Sequence, residues 1–421
     1  MNNYDLNEFF DKNVVFIGKG KEGLSFQKFI ETYGNIKSFS FVDVKDDPNY
    51  LENLKNLDMD QTVVVKTPGC RGDLVPVPYT TPTVVFFNCL KQIQAKSVGI
   101  TGTKGKTTTS SLLAHTLKNA GLDARLCGNV GIPMLDSLNN ANQNTIFIIE
   151  LSSYQLTELK VDPDVAIITN LYRDHTDYHG SLEAYWEAKR NIIRYMDENG
   201  TVVFNPDFEM ILHWLADSKA KSLPINPLEE VDMSKAKIIG DHNKLNYLLV
   251  RKVAELFGVD AGSCLNSLNT FEAVRHRLQE VRTVHGITFY DDAIGSNPEA
   301  TIAGIHALVK NKGPIGCVML GGVDRNYDYT ELVRLLRILA IPKLIFFPDT
   351  GSIIKSMLPS DYQPETYEAN DMANAVKWAT ENTPSGSICL LSTAAPSTVL
   401  WSSFEEKGSL FQQAVLEIPN Y

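Results

Sequence analysis

The chain has 421 residues, a length that calls for two to four domains rather than one core. Its 43% hydrophobic and 21% charged residues are ordinary for a globular protein, and a formal charge of −11 argues against general nucleic-acid binding, which favours basic faces. No apolar run reaches the length of a membrane span, although local Lys and Arg can still hold an anionic substrate.

Residues Met1 to Asn13 carry Asp5, Glu8 and Asp11 and no apolar core, so a secretory leader is not expected and the expected compartment is the cytoplasm. A strand is expected over Asn13–Ile17, then the run Gly18-Lys19-Gly20-Lys21-Glu22-Gly23, then a helix over Ser25–Tyr33. A second strand, Phe39–Val44, carries Asp43, twenty residues after Gly23. Gly18-x-Gly20-x-x-Gly23 with an acid at that spacing fits the dinucleotide fingerprint and would suggest an NAD-dependent oxidoreductase. The same tight turn can bind any diphosphate. A third strand, Thr62–Lys66, ends at Thr67-Pro68-Gly69.

The next block opens near Leu90. A strand over Lys96–Thr101 runs into Gly102-Thr103-Lys104-Gly105-Lys106-Thr107-Thr108, and a helix with Leu112, Leu113, Leu117 and Ala120 follows. Strand, glycine-rich loop and helix N-terminus form a phosphate cradle: backbone N–H groups approach the phosphates, the lysine reaches the β and γ phosphates, and the threonine hydroxyl can ligate Mg²⁺. The usual pattern has a glycine five positions before Gly105, where this chain has Ile100, so the loop is short. A chance Gly-Lys-Thr in a loop is the alternative. A strand over Thr145–Leu151 places Glu150 at its carboxyl end, where ligands of an α/β sheet sit. Glu150 is a candidate Mg²⁺ ligand beside Thr107, against the alternative of a solvated strand-end acid.

After a strand over Val165–Thr169, the run Asn170-Leu171-Tyr172-Arg173-Asp174-His175-Thr176-Asp177 concentrates Asp and His and suggests a second cation or a charged intermediate. Lys189 follows on a helix over Leu182–Ile193, and by residue type alone it reads as a surface lysine. A strand over Thr201–Phe204, an irregular polar excursion over residues 222–238 and a helix after Gly240-Asp241-His242-Asn243 complete this block. The last block has strands at Thr288–Tyr290, Cys317–Gly321, Lys343–Phe347 and Ile388–Leu391 with helices between. The alternation predicts an α/β chain with mainly parallel sheets, divided at 1–90, 91–272 and 273–421. None of the six cysteines forms a C-x-x-C pair, so buried reduced thiols are expected.

The chain resembles the Mur ligase family of peptidoglycan synthesis, and within it the glutamate-adding MurD type. The resemblance rests on Thr101 to Thr108, Gly128-Asn129-Val130-Gly131, Glu150-Leu151-Ser152-Ser153-Tyr154-Gln155, Asp174-His175 followed by Lys189, Gly240 to Asn246, and His276-Arg277, in that order. It implies a Rossmann-like domain for a UDP-sugar, a central P-loop domain for ATP, and a Rossmann-like C-terminal domain for the amino acid. It implies that ATP phosphorylates the carboxylate of UDP-N-acetylmuramoyl-L-alanine and that the amine of glutamate attacks the acyl phosphate.

By the same resemblance, Gly102 to Thr108, Asn243, Asn246, Arg277 and Asp292 hold ATP, with Lys106 on the γ-phosphate. Thr107 and Glu150 hold one Mg²⁺, and His175 with a carbamylated Lys189 holds a second. Gly18, Gly20, Gly23, Thr67, Pro68 and Gly69 line the UDP site, and Asn129 and His175 contact the muramoyl-alanine part. Arg325, Ser397 and Phe404 take the glutamate. A monomer is expected, without nucleic-acid or membrane partners.

Three departures fall in the last block. Asp292-Ala293-Ile294-Gly295-Ser296-Asn297 has Ile294 where D-glutamate-adding members have lysine, Arg325 stands for another lysine, and Ser392-Thr393-Ala394-Ala395-Pro396-Ser397 replaces Ser-Pro-Ala-Cys-Ala-Ser. These resemble the branch that adds L-glutamate. D-glutamate is the expectation, as the commoner case, and L-glutamate the alternative. An NAD-dependent oxidoreductase leaves the Gly-Lys-Thr loop idle. A non-catalytic nucleotide-binding regulator leaves Asp174, His175 and Lys189 unexplained.

Overall fold

The computed structural model describes residues 4–157, 159–160, 162–238, 240–272, 275–397 and 400–419, with only the backbone of Thr176 and Asp177. Its strands form three sheets. The first orders its strands as Ser38–Val42, Asn13–Ile17, Thr62–Lys66 and Tyr79–Thr80, all parallel. The second runs Lys221–Pro224, Thr201–Phe204, Val165–Ile168, Lys96–Thr101, Ile146–Glu150 and Ala124–Gly128, again all parallel. The third runs Gln279–Val284, Ile287–Asp291, Ile388–Leu391, Ile315–Gly322, Lys343–Asp349 and Glu365–Glu368. Only its first pair is antiparallel. The expected α/β class is therefore the observed one.

Period-two burial explains the strands. Val14 and Phe16 face a cluster with Phe26 and Ile30, while Val15 and Ile17 face the opposite cluster with Val64. Strand ends differ from expectation where side chains capture the backbone. The second strand stops at Val42 because Asp43 accepts the amides of Lys45 and Lys19, turning the chain out of the sheet. The first helix begins at Lys21 rather than Ser25, after Gly20 in extended conformation. Within the excursion expected over 222–238, Lys221–Pro224 pairs as an edge strand with Thr201–Phe204.

The chain divides into two compact units, one of residues up to 232 with 242–270, the other of 233–241 with 271 onward. The first two sheets share the first unit. One apolar cluster runs beneath both, from Tyr4, Phe16 and Phe26 through Phe86 to Phe147 and Ile168. Polar ties add to it: Ser25 Oγ donates to Asp136 Oδ1 at 3.0 Å and Tyr4 Oη to the Leu138 carbonyl at 3.2 Å. The second unit buries both faces of its sheet, one around Leu320, Leu332 and Leu336, the other around Phe289, Met319 and Phe411. Among the described residues no helix is long and apolar enough to cross a membrane, and all six cysteines are free thiols, five of them buried.

Candidate active site

In the second sheet, Lys96–Thr101 lies between Val165–Ile168 and Ile146–Glu150, and the connection from it to Ala124–Gly128 runs opposite to the one from Ile146–Glu150 to Val165–Ile168. Such a switch point opens a crevice at the carboxyl ends of the strands. The loop Gly102–Gly105 stands in that crevice and leads into the helix Lys106–Asn119. Gly105 has φ of 81°, and a Cβ there would stand 2.6 Å from Asn246 Oδ1, so Asn246 packs directly on the loop. Asn246 Nδ2 donates to Asn243 Oδ1 at 3.1 Å, and both asparagines are buried. Of the residues expected at the nucleotide, Asn246 thus meets the phosphate loop and Asn243 holds Asn246.

The segment after Ile168 braces the loop. Lys104 N donates to Asn170 Oδ1 at 2.8 Å, and the Lys104 carbonyl accepts from Thr169 Oγ1 at 2.7 Å and Asn170 Nδ2 at 2.9 Å. Thr103 Oγ1 accepts from Tyr172 N at 2.9 Å and from Tyr185 Oη at 3.2 Å. Lys104 Nζ pairs with Asp174 at 3.1 Å. Burial pushes the Asp174 carboxyl up, but Lys104 and His175 together hold it below the usual carboxylate range. Lys106 Nζ curls over the loop and donates to the carbonyls of Gly102 (3.0 Å) and Thr103 (3.1 Å).

Glu150 is 1% exposed, not a solvated strand-end acid. Its Oε1 accepts from Asn129 Nδ2 at 3.0 Å and its Oε2 from Ser110 Oγ at 3.4 Å. Ser110 Oγ lies 3.2 Å from the Thr107 carbonyl, so Glu150, Asn129 and the start of the loop helix are gathered at one place. Asn129 is fixed further by its amide, which donates to the Glu150 carbonyl at 2.9 Å.

Lys189 corrects the residue-type expectation of a surface lysine: it is 1% exposed. Its Nζ donates to the Gly102 carbonyl at 2.8 Å and lies 4.6 Å from the ring centroid of Tyr185, one helical turn earlier. Burial, reinforced by the nearby Lys106 charge, drives the amine well below its ordinary pKa. Tyr185 also borders His175, ring centroids 5.9 Å apart. His175 has φ of 47° and its Nδ1 lies 3.1 Å from Tyr154 Oη. Tyr178 Oη, three residues on, donates to the Pro68 carbonyl at 3.3 Å, which ties the Thr67-Pro68-Gly69 turn to the His175 segment.

That turn also meets the first glycine run. Gly18 has φ of 100°, and a Cβ there would come within 2.9 Å of Thr67 Cγ2. Around Gly20 a Cβ would meet open space, whereas Gly23 packs against the Gly18 carbonyl. Asp43 Oδ2 accepts from Lys19 N at 3.2 Å, so the acid of the fingerprint closes the turn.

The second unit holds the remaining expected residues. Asp292 Oδ2 accepts from Ser392 Oγ at 2.8 Å, and burial pushes its carboxyl up to about 7 despite the nearby Ser392 hydroxyl and Arg277 charge. Arg277 Nε and Ser397 Oγ are buried and make no hydrogen bond among the described residues. Buried polar atoms normally have partners, and these two orphans fall at positions expected to bind ligand. Phe404 stands edge-on to His276 at 6.4 Å, on the helix that follows Ser397. Arg325 lies exposed on the loop after Gly322.

Among the described residues no three His, Cys, Asp or Glu side chains converge as a self-contained metal cage. Magnesium does not require one. It takes one or two carboxylates and completes its shell with phosphate oxygens and water. Glu150, joined through Ser110 to the Thr107 carbonyl, offers one such carboxylate.

Several partners in this network carry no motif of their own. Asn170, Ser110 and Tyr178 act through contacts between segments far apart in sequence. Tyr185 had a usable signal, since residues four apart share a helix face.

The sequence profile of the Mur ligase middle domain matches residues 100–254. The chain is 30% identical to the UDP-N-acetylmuramoylalanine–D-glutamate ligase of Streptococcus suis (strain 98HAH33), over 97% of this chain and 98% of that protein. It is 33% identical to the protein of the same name from Thermoanaerobacter sp. (strain X514), over 77% of this chain and 76% of that one. Among solved structures, MurF ligase from Thermotoga maritima in complex with ADP superposes with a TM-score of 0.63 at 18% identity, covering 98% of this chain and 97% of that one. UDP-N-acetylmuramate–alanine ligase MurC from Thermotoga maritima superposes at 0.62 with 21% identity, over 96% and 99%. At those identities the two superpositions establish the shared fold.

Proposed function

The chain belongs to the Mur ligase family, in its glutamate-adding MurD branch, and from that premise we propose that it joins D-glutamate to UDP-N-acetylmuramoyl-L-alanine at the expense of ATP. The observation that carries the reading is the gathering of Lys106, Thr107, Asn129, Glu150 and Lys189 around one phosphate loop.

The reaction has two steps. A carboxylate oxygen of the alanine attacks the γ-phosphorus, the bond to the β–γ bridging oxygen breaks, and ADP leaves. The glutamate amine then attacks the acyl carbon, loses a proton, and expels phosphate as the amide forms. Lys106 and the loop amides neutralise charge that develops on the transferring phosphoryl group. Asn129, oriented by Glu150, holds the muramoyl-alanine end together with His175. Asn246 packs on the loop and, with Asn243, receives the nucleotide. Gly18, Gly20, Gly23 and Thr67 to Gly69 take the UDP. Arg325 and Ser397 hold glutamate carboxylate, and Phe404 packs on its side chain.

Bound Mg²⁺ would supply Lewis-acid charge on the phosphate oxygens, with Thr107 and Glu150 at one ion and His175 at a second. Lys189 is suited to carbamylation: burial lowers its pKa and favours the neutral amine, the form that adds to CO₂ and releases a proton to become an anionic carbamate. The enzyme is proposed to work in the cytoplasm as a monomer.

One assay tests the reading: ADP release by the purified protein with ATP, Mg²⁺, UDP-N-acetylmuramoyl-L-alanine and each glutamate enantiomer. Turnover with D-glutamate supports it. Ile294, which removes a cation found in D-adding members, favours L-glutamate as the second reading, and preference for that enantiomer would revise the stereochemistry alone. No turnover with either would overturn the assignment.

A further inference from the structure

Lys407 takes part in none of these steps, yet it is completely buried, at 0% exposure. It lies on the helix Phe404–Leu416, one turn after Phe404. Its Nζ donates to Thr393 Oγ1, at 2.5 Å. Thr393 Oγ1 donates onward to the Ala395 carbonyl at 2.9 Å. Burial drives the ammonium down to about 8, with Asp292 and Asp291 acting against the depression. A lysine needed only for packing would be replaceable by an apolar side chain of similar length. A buried one whose ammonium makes this bond points to a use for it.

The use is visible in the loop that Thr393 begins. Ser392 is tied to Asp292, and Ala394 has φ of 57°, a left-handed conformation uncommon for a residue with a Cβ. The Thr393 and Pro396 carbonyls accept from Gly321 N and Val323 N, both at 2.9 Å, so the loop lies against the Gly-Gly turn that precedes Arg325. At the end of this loop stands Ser397, whose buried Oγ makes no hydrogen bond among the described residues.

We propose that Lys407 is a positioning residue for the amino-acid substrate: through Thr393 and Ala395 it holds the Ser392–Ser397 loop in the turn that presents Ser397 Oγ to a substrate carboxylate. The proposal rests on the assignment of Ser397 to the glutamate pocket.

The test is steady-state kinetics on Lys407→Met, Thr393→Val, Thr393→Ser and Ser397→Ala, with thermal melts alongside. Losing one charge-assisted hydrogen bond's worth of positioning should raise the glutamate KM about tenfold in Lys407→Met and Thr393→Val. The ATP and UDP-sugar KM should stay near wild type. Thr393→Ser keeps the hydroxyl and should behave as wild type. The Lys407→Met/Thr393→Val double variant should be no worse than either single one, since both break one chain. Wild-type glutamate KM in folded Lys407→Met or Thr393→Val overturns the proposal, as does an equal rise in all three KM values. Where Lys407→Met does not fold, the threonine pair decides. Ser397→Ala separates the two levels. An unchanged glutamate KM there removes the pocket assignment, whereas a raised KM there with unchanged Lys407 and Thr393 variants overturns only the positioning role.

Discussion

At the scale of single residues, the site depends on where its charges are held. Lys106 sits on the loop carbonyls of Gly102 and Thr103, ready for a phosphate. Lys106→Ala should keep the fold and lose about two to three powers of ten in turnover, the cost of one electrostatic transition-state contact. A near-normal rate at saturating ATP would remove the loop from the mechanism. Lys189→Ala should be inactive and regain part of its rate in acetate or formate, which can occupy the vacated carboxylate position. An unmodified lysine in the native mass spectrum together with no rescue would count against the carbamate. Asp292 gives a pH signature. Its folded pKa of about 7 lies above the unfolded value of about 3.9, so the folded state prefers the protonated acid. That contribution is fully present below about pH 4 and is lost as pH rises to about 7. Asp292→Asn, neutral throughout, should flatten the wild type's decline over this window in denaturant unfolding at pH 4.5 and 7.5. Parallel curves would show that the carboxyl ionises freely.

Elements decide how those residues meet. The phosphate loop is narrow because helix Asp241–Leu256 brings Asn246 against Gly105. Gly105→Ala would force a Cβ to within 2.6 Å of Asn246 Oδ1 at a φ of 81°, so both sterics and backbone oppose it. The variant should raise the ATP KM at least about tenfold, with the glutamate KM less affected. Wild-type ATP affinity would show that the loop and Asn246 can separate without cost. Strands such as Asn13–Ile17, Thr62–Lys66 and Lys96–Thr101 were legible to the residue, since their β-branched, alternating runs are buried on both faces. The antiparallel edge strand Gln279–Val284 was not, because it is half polar and gains its conformation by pairing with Ile287–Asp291.

For the whole molecule, the expected phosphate and UDP residues fall in one compact unit and the expected glutamate residues in the other. Arg325→Ala should raise the glutamate KM roughly ten- to a hundredfold, the loss of a charge-assisted pair, and leave the ATP KM nearly unchanged. An equal change in both would mean that Arg325 acts on the nucleotide.

What the amino-acid sequence determined by itself was whatever depends on neighbours along the chain. The Gly-Lys-Thr loop between strand and helix, the acid at a strand end and the order of α and β segments are local patterns with local causes. Only the tertiary structure decided the state of the side chains. Lys189 reads as a surface residue until the fold encloses it with Gly102 and Tyr185, and nothing around Lys407 in sequence announces Thr393. Glu150 becomes a buried acid only because the chain returns Asn129 and Ser110 to it. Burial and the company of other charges set protonation, and both are sums over atoms that sequence distance does not order.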